Sequence, residues 1–173
     1  DGRVDYTGSG DGQLGLHDVG VLLSQYADRG YTLAVSEAGL LPFYSRWRTV
    51  DTWGLNDQWI THNGGITPEY LDTWHPEVIL FHAFFSPVTE SWGMDDASAA
   101  VAPGWNTMTI DLRDYAEQHG YVLAAVYGID PTTTHYYYVR ADFPDSQEII
   151  DRLRDIDYEW RRGSRSVNYA QIT

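Results

Sequence analysis

The sequence contains no cysteine and no lysine. Without cysteine, the chain has no disulfide, no thiolate zinc site and no cysteine nucleophile. All 11 of its Lys+Arg residues are arginines, and they face 25 Asp+Glu residues, so the net charge is −14 at pH 7. Such a surface repels phosphate backbones, and the composition therefore argues against nucleic-acid binding.

Long apolar runs are also missing. No stretch of about 18 apolar residues occurs, so no segment is predicted to span a membrane. The sequence shows no signal-peptide pattern either. It starts at Asp1 with no initiator methionine, and we expect a parent protein that extends further on the N-terminal side.

The residues that are present favour a packed globule. Hydrophobic residues make up 43% of the 173 residues and aromatic residues 14%, which is enough for one domain with a sizeable core. We expect a single domain over residues 1–173. A loose entry segment is predicted at 1–13, where Gly, Asp and Ser dominate, and a tail at 159–173.

Hydrophobic periodicity and turn signals predict an α/β fold. About a dozen residues join the first two strands, which favours a short right-handed crossover and a parallel pair. The turn at Asp130-Pro131 favours an antiparallel hairpin for the last two strands. The expected architecture is a three-layer αβα sandwich with a mainly parallel central sheet and an antiparallel C-terminal hairpin. Helices are predicted at 14–28, 40–46, 57–62, 68–74, 106–119 and 145–157, and strands at 31–36, 49–53, 77–82, 121–127 and 134–141. Thr67 predicts a cap for the helix at 68–74, Asn106 or Thr107 predicts a cap for the helix at 106–119, and Asp145 with Glu148 predicts a capping box for the last helix.

Polar side chains follow the ends of the predicted parallel strands. Glu37 comes after the first strand, Asn56 and Asp57 follow the second, and His82 ends the third. Asp51 lies inside the second strand, where a buried acid needs a partner. Ligands of open parallel α/β sheets bind at this edge. Glu37 and Asp51 either form a carboxylate pair for acid/base work or sugar binding, or each accepts N–H groups of a neighbouring loop.

Aromatic residues are abundant, with seven tryptophans and 13 tyrosines. Aromatic faces stack on sugar rings and also supply buried area. Tyr136, Tyr137 and Tyr138 alternate along a predicted strand, so we expect that they cannot all belong to the core.

No complete catalytic or metal-binding motif is recognisable. His62 and His75 lack metal-ligand spacing, and no Gly-x-Ser-x-Gly motif is present. The other histidines outside the strand edge, His17, His119 and His135, sit at predicted element ends or on an exposed strand. The sequence therefore predicts no metal, no cofactor and no catalytic residue in this chain. The long irregular connection 84–103 predicts a lid, a binding loop or a flap.

Residues 15–85 carry a pattern that resembles part of a known superfamily. The matching segments are Glu37-Ala38-Gly39, 41–45 (LPFYS), Val50-Asp51 and 54–57 (GLND). They look like the soluble extracytoplasmic C-terminal domain of C-type multi-spanning membrane glycosyltransferases. These enzymes are similar to dolichyl-phosphate-mannose mannosyltransferases and to bacterial arabinosyltransferases.

The resemblance implies an accessory domain rather than a competent transferase. In that superfamily the catalytic acids lie in loops between N-terminal membrane helices, which this chain does not contain. The domain would sit at the extracytoplasmic face of the membrane, tethered through its parent, and help to hold an acceptor glycan or a lipid-linked sugar. The expected contacts are Glu37, Tyr44, Asp51, Asn56, Asp57 and His82, with Trp53 and Trp59 as stacking platforms.

Two alternatives remain open from the residues. One is a stand-alone carbohydrate-active enzyme that uses Glu37 and Asp51. The other is a purely structural domain that braces the transmembrane part of the same parent chain.

Overall fold

The computed structural model describes residues 15–83, 104–130 and 133–156, with the side chains of 127–134 left out. The predicted entry segment 1–13, the long connection 84–103 and the predicted tail 159–173 lie outside the described residues.

The described chain alternates helices and strands close to the predicted positions. The helices are α1 (Leu16–Ser24), α2 (Leu40–Ser45), α3 (Gln58–Asn63), α4 (Pro68–Trp74), α5 (Trp105–Gln118) and α6 (Ser146–Arg154), with a 3-10 turn at Ala27–Arg29. The strands are β1 (Thr32–Val35), β2 (Arg48–Asp51), β3 (Val78–Ala83), β4 (Tyr121–Asp130) and β5 (Thr133–Arg140). None of the described helices has the length and apolar character needed to cross a membrane.

The five strands form one mixed sheet in the order β2-β1-β3-β5-β4. Strand β1 is parallel to both β2 and β3, as the short connection predicted for the first pair. Strand β5 is antiparallel to both β3 and β4, which confirms the C-terminal hairpin. The α/β class is therefore confirmed. Among the described strands, two neighbouring pairs are parallel and two are antiparallel, because the hairpin places β5 directly beside β3.

Helices cover both faces of this sheet. Leu33, Val35 and Leu80 belong to one buried cluster with residues of α1, α2 and α6. Ala34 and Ile79 alternate with them and belong to a second cluster with residues of α3, α4 and α5. Successive strand residues point to opposite faces, so the two clusters are the two core layers of a three-layer sandwich.

The buried tyrosines of β5 correct one expectation. Tyr136, Tyr137 and Tyr138 are 2%, 0% and 4% exposed, although they alternate between the two faces. The prediction that they cannot all belong to the core is wrong, because helices pack on both faces.

Two helix starts differ from their predicted caps. Helix α5 begins after Gly104, which has φ 88°, and not at an Asn106 or Thr107 cap. Helix α6 follows Asp145 as expected, but the predicted capping box does not form. The Asp145 carboxylate instead accepts a 2.6 Å hydrogen bond from the Tyr31 hydroxyl. The predicted cap of α4 is confirmed, because the Thr67 hydroxyl accepts from the backbone N–H of Tyr70.

Candidate functional site

Three polar side chains from neighbouring strands meet at one edge of the sheet. Glu37 lies two residues beyond the end of β1, and His82 lies near the end of β3. His135 lies at the start of β5, directly opposite His82 in the antiparallel ladder. The period of two places all three on the face that carries Val35, Leu80 and the first core cluster. We call these three residues the His–Glu cluster.

The contacts within the His–Glu cluster are short. Glu37 presents a different carboxylate oxygen to each histidine. Its Oε2 is in hydrogen-bond contact with Nε2 of His135, and its Oε1 lies 3.6 Å from Nδ1 of His82. The two imidazole rings stack with centroids 4.5 Å apart. Side-chain exposure falls from 36% at Glu37 through 14% at His82 to 0% at His135, so the cluster meets solvent through its carboxylate.

The electrostatics of the cluster favour a carboxylate beside a neutral imidazole. Burial alone would raise the pKa of Glu37, but the hydrogen bonds from His135 and His82 outweigh it and hold that pKa well below its usual range. Burial lowers the pKa of His135, and the nearby Glu37 only partly opposes this. Nδ1 of His135 has no hydrogen-bond partner among the described residues.

The sequence identified Glu37 and His82 but missed His135. His135 was assigned to an exposed strand, whereas it is fully buried. Knowledge that β5 pairs with β3 would have identified His135, because this pairing places His82 and His135 opposite each other. Local patterns predict a hairpin between β4 and β5 but do not show which strand of the sheet receives it.

Asp51 has a different neighbourhood from Glu37. It is 4% exposed and its carboxylate accepts from the backbone N–H of Gly54 at 3.2 Å and of Asn56 at 2.8 Å. The Asn56 side-chain amide donates to it as well, at 3.2 Å. The described contacts thus correspond to the loop-holding alternative for Asp51, and each of the two acids has its own partners.

Asp57 is half-buried and joins two helices. Its carboxylate caps α3 by accepting from the backbone N–H of Ile60 at 3.2 Å. The second oxygen accepts from the Tyr70 hydroxyl of α4 at 2.9 Å. Its carboxylate therefore already has a structural role.

The predicted aromatic contacts are divided among three places. Trp59 stacks flat on Tyr70, with centroids 4.1 Å apart, and is 40% exposed. Trp53 packs against Trp105 of α5, with centroids 4.9 Å apart. Tyr44 packs edge-on against a histidine of α1, between α1 and α2.

A pocket of about 380 Å³ opens beside Trp53, in the helical layer of the second core cluster. Thr61, Gly64 and Gly65 form one wall at the end of α3. Another wall is formed by the first two turns of α5, where Thr107 and Asp111 line the pocket. Burial, followed by the charge of Asp114, raises the pKa of Asp111 above its usual value. The pocket thus combines an indole ring with hydroxyl groups and a carboxylate.

Sequence comparison assigns a family to this fold. The sequence profile of a domain of unknown function, DUF8728, matches residues 6–141. The chain belongs to the DUF8728 family. No curated protein matches it, and no solved structure matches it. The matched range of the DUF8728 domain contains the His–Glu cluster and the pocket beside Trp53, whereas α6 lies beyond it.

Proposed function

We propose that this DUF8728 domain binds one sugar unit of a glycan or a lipid-linked sugar in the pocket beside Trp53. The observation that carries the proposal is the composition of that pocket, which is lined by an indole together with hydroxyl and carboxylate groups. Sugar rings offer an apolar face for aromatic stacking and hydroxyl groups around their rim. The volume of about 380 Å³ lies within the range of small-molecule sites.

The binding groups divide into two sets by their chemistry. Trp53 supplies the apolar surface. Thr107 and Asp111 are both exposed on α5 and lie one turn apart, so their oxygens point to one side of the helix. A carboxylate that accepts from two adjacent sugar hydroxyls fixes the orientation of the ring. Of the contacts predicted from the sequence, Trp53 lines this pocket; Glu37 and His82 lie in the His–Glu cluster.

The larger setting comes from the resemblance of residues 15–85 to domains of membrane glycosyltransferases. On this proposal the chain is an accessory extracytoplasmic domain of such an enzyme. It would present its sugar to an active site in the transmembrane part of the parent chain.

The stand-alone enzyme is the weaker alternative. It requires Glu37 and Asp51 to act together, but Asp51 is engaged by the Gly54 and Asn56 backbone and Glu37 by two histidines. A domain that only braces a membrane bundle would bind no sugar and turn over no glycoside.

Binding to the full chain tests the proposal. Methyl α-mannoside and methyl α-arabinofuranoside are added separately, and saturation-transfer NMR reports which sugar protons contact the protein. We expect transfer to at least one of the two sugars, and Asp111→Asn is expected to weaken binding about tenfold, because one charge-assisted hydrogen bond is lost.

The matched control is Asp114→Asn, a neighbouring acid on α5 that does not line the pocket. Saturation transfer that is equal in both variants, or absent from the unmodified chain, would overturn the proposal. Hydrolysis of p-nitrophenyl glycosides by the same preparation would favour the enzyme alternative.

A further inference from the structure

The His–Glu cluster draws together the side-chain types that bind transition-metal ions. Two imidazoles and one carboxylate form a ligand set known from catalytic zinc sites and from non-haem iron centres. Glu37, His82 and His135 each offer one ligand atom, and these atoms all lie within 4.8 Å of one another. His82 and His135 lie on the adjacent strands β3 and β5, so the sheet fixes the spacing of the two histidines, and Glu37 follows the end of the next strand, β1.

The distance between Glu37 and His82 agrees with a single ion between the side chains. Zinc lies about 2.0–2.2 Å from nitrogen and oxygen ligands, which sets ligand atoms about 3.3–3.6 Å apart in a tetrahedron. Oε1 of Glu37 and Nδ1 of His82 are 3.6 Å apart. The contact between Glu37 and His135 is shorter because a hydrogen-bond proton joins the two atoms. An ion that replaces this proton requires a rotation of the partly exposed Glu37 side chain.

Hydrogen bonds at both the N–H and the carbonyl of His82 hold its backbone in place. The N–H of His82 donates to the Ser36 hydroxyl at 2.9 Å. Its carbonyl accepts from the indole N–H of Trp105 at 2.8 Å. The ring stacks on that of His135, which is itself fully buried. Two of the three ligands are therefore positioned before an ion arrives, which reduces the entropic cost of binding.

We propose that Glu37, His82 and His135 bind one divalent transition-metal ion of the zinc class, with a fourth coordination position open to solvent. This site is separate from the sugar pocket and does not depend on it. The partly exposed Glu37 provides the entry path, and three protein ligands leave one position for water or a small ligand. The chain's net charge of −14 adds a favourable field for a cation.

The spacing of histidines along the sequence predicts a metal-free chain. Spacing of that kind detects ligands on one helix or one loop. It does not detect two histidines that are 53 positions apart in the sequence and lie opposite each other on paired strands, as His82 and His135 do.

Titration of the metal-free full chain with ZnCl₂ by isothermal calorimetry, and with CoCl₂ by visible absorption, tests this proposal. We expect one ion per chain and a cobalt spectrum of low-coordinate d–d bands. His82→Gln and Glu37→Gln are each expected to weaken zinc binding at least about 100-fold, because even partners of metal ligands change affinity about 10–100-fold. Both replacements avoid the fully buried His135, and circular dichroism verifies that each variant is folded.

His62→Gln is the matched control, since His62 is an exposed histidine outside the cluster. It is expected to leave zinc affinity unchanged. Equal affinity in the His82, Glu37 and His62 variants would overturn the proposal, as would the absence of binding by the unmodified chain. In either case the cluster is only a hydrogen-bonded network. Neither result bears on the sugar pocket, which has its own binding assay.

Discussion

At the scale of single residues, the same side-chain type has two different roles at one edge of the sheet. Glu37 faces two histidines and reaches solvent, whereas Asp51 is buried and accepts from backbone N–H groups. Both acids follow short apolar segments, so the sequence marks both positions as polar groups that need partners. It does not distinguish them, because the distinction depends on whether a loop folds back over the carboxylate or a neighbouring strand supplies an imidazole.

Asp51→Ala is expected to lower the free energy of unfolding by about 2–4 kcal/mol, because each buried donor left unsatisfied costs about 1–3 kcal/mol. The donors that lose their acceptor are the N–H groups of Gly54 and Asn56. Urea denaturation followed by tryptophan fluorescence measures the change. Asp28→Ala, at an exposed position of the 3-10 turn, is the control and should change stability by less than about 0.5 kcal/mol. Similar losses in both variants would contradict the loop-holding role of Asp51.

At the scale of elements, the close packing of α1 on α2 depends on one glycine. A Cβ atom at Gly20 would lie 2.8 Å from Cβ of Tyr44 and 3.4 Å from the carbonyl oxygen of Leu41. The glycine therefore lets the two helices approach closely, at the cost of about 1 kcal/mol of helix propensity. Periodicity alone predicted α1, but this contact needs the position of α2.

Gly20→Ala tests that contact. The higher helix propensity of alanine would by itself stabilise the protein by about 1 kcal/mol. We expect the opposite sign, a loss of about 1–2 kcal/mol, because overpacking against the Tyr44 Cβ costs about 1–3 kcal/mol and this atom cannot rotate away. Thermal and urea unfolding report the difference. Val21→Ala, at a 44% exposed position of the same helix, should be nearly neutral. A Gly20→Ala variant that is more stable than the parent would show that the two helices are not tightly packed.

At the scale of the whole molecule, buried tyrosines link stability to alkaline pH. Burial, then a hydrogen bond to Asp145, raises the pKa of Tyr31 to about 12. Burial is also the first cause of the raised pKa values of Tyr115, Tyr121 and Tyr138. The unfolded chain, with phenol pKa values of about 10, loses these protons before the folded chain does. Stability from these groups is therefore complete below about pH 10 and falls as pH rises towards 12 and beyond.

We expect the free energy of unfolding in urea to decrease steeply between about pH 10 and pH 12. Tyr31→Phe removes one of the tyrosine hydroxyl protons that link stability to pH. The free energy of unfolding of this variant should therefore decrease less steeply over this range than that of the parent. The same variant should be less stable at pH 8 by about 1 kcal/mol, because it loses the hydrogen bond to Asp145. A stability that stays constant to about pH 12 would contradict the linkage, and parallel curves for parent and variant would exclude Tyr31 from it.

The sequence by itself determined the class of fold and the order of its elements. Periodicity, turn residues and the Thr67 cap are local signals, and local energetics decide whether a segment becomes a helix or a strand. Only the tertiary structure decided that β5 enters the sheet beside β3, and this pairing depends on contacts between distant residues. It buries three consecutive tyrosines under two helical layers and places His135 against His82 and Glu37. The candidate metal cluster therefore became visible only when strands far apart in the chain were brought together.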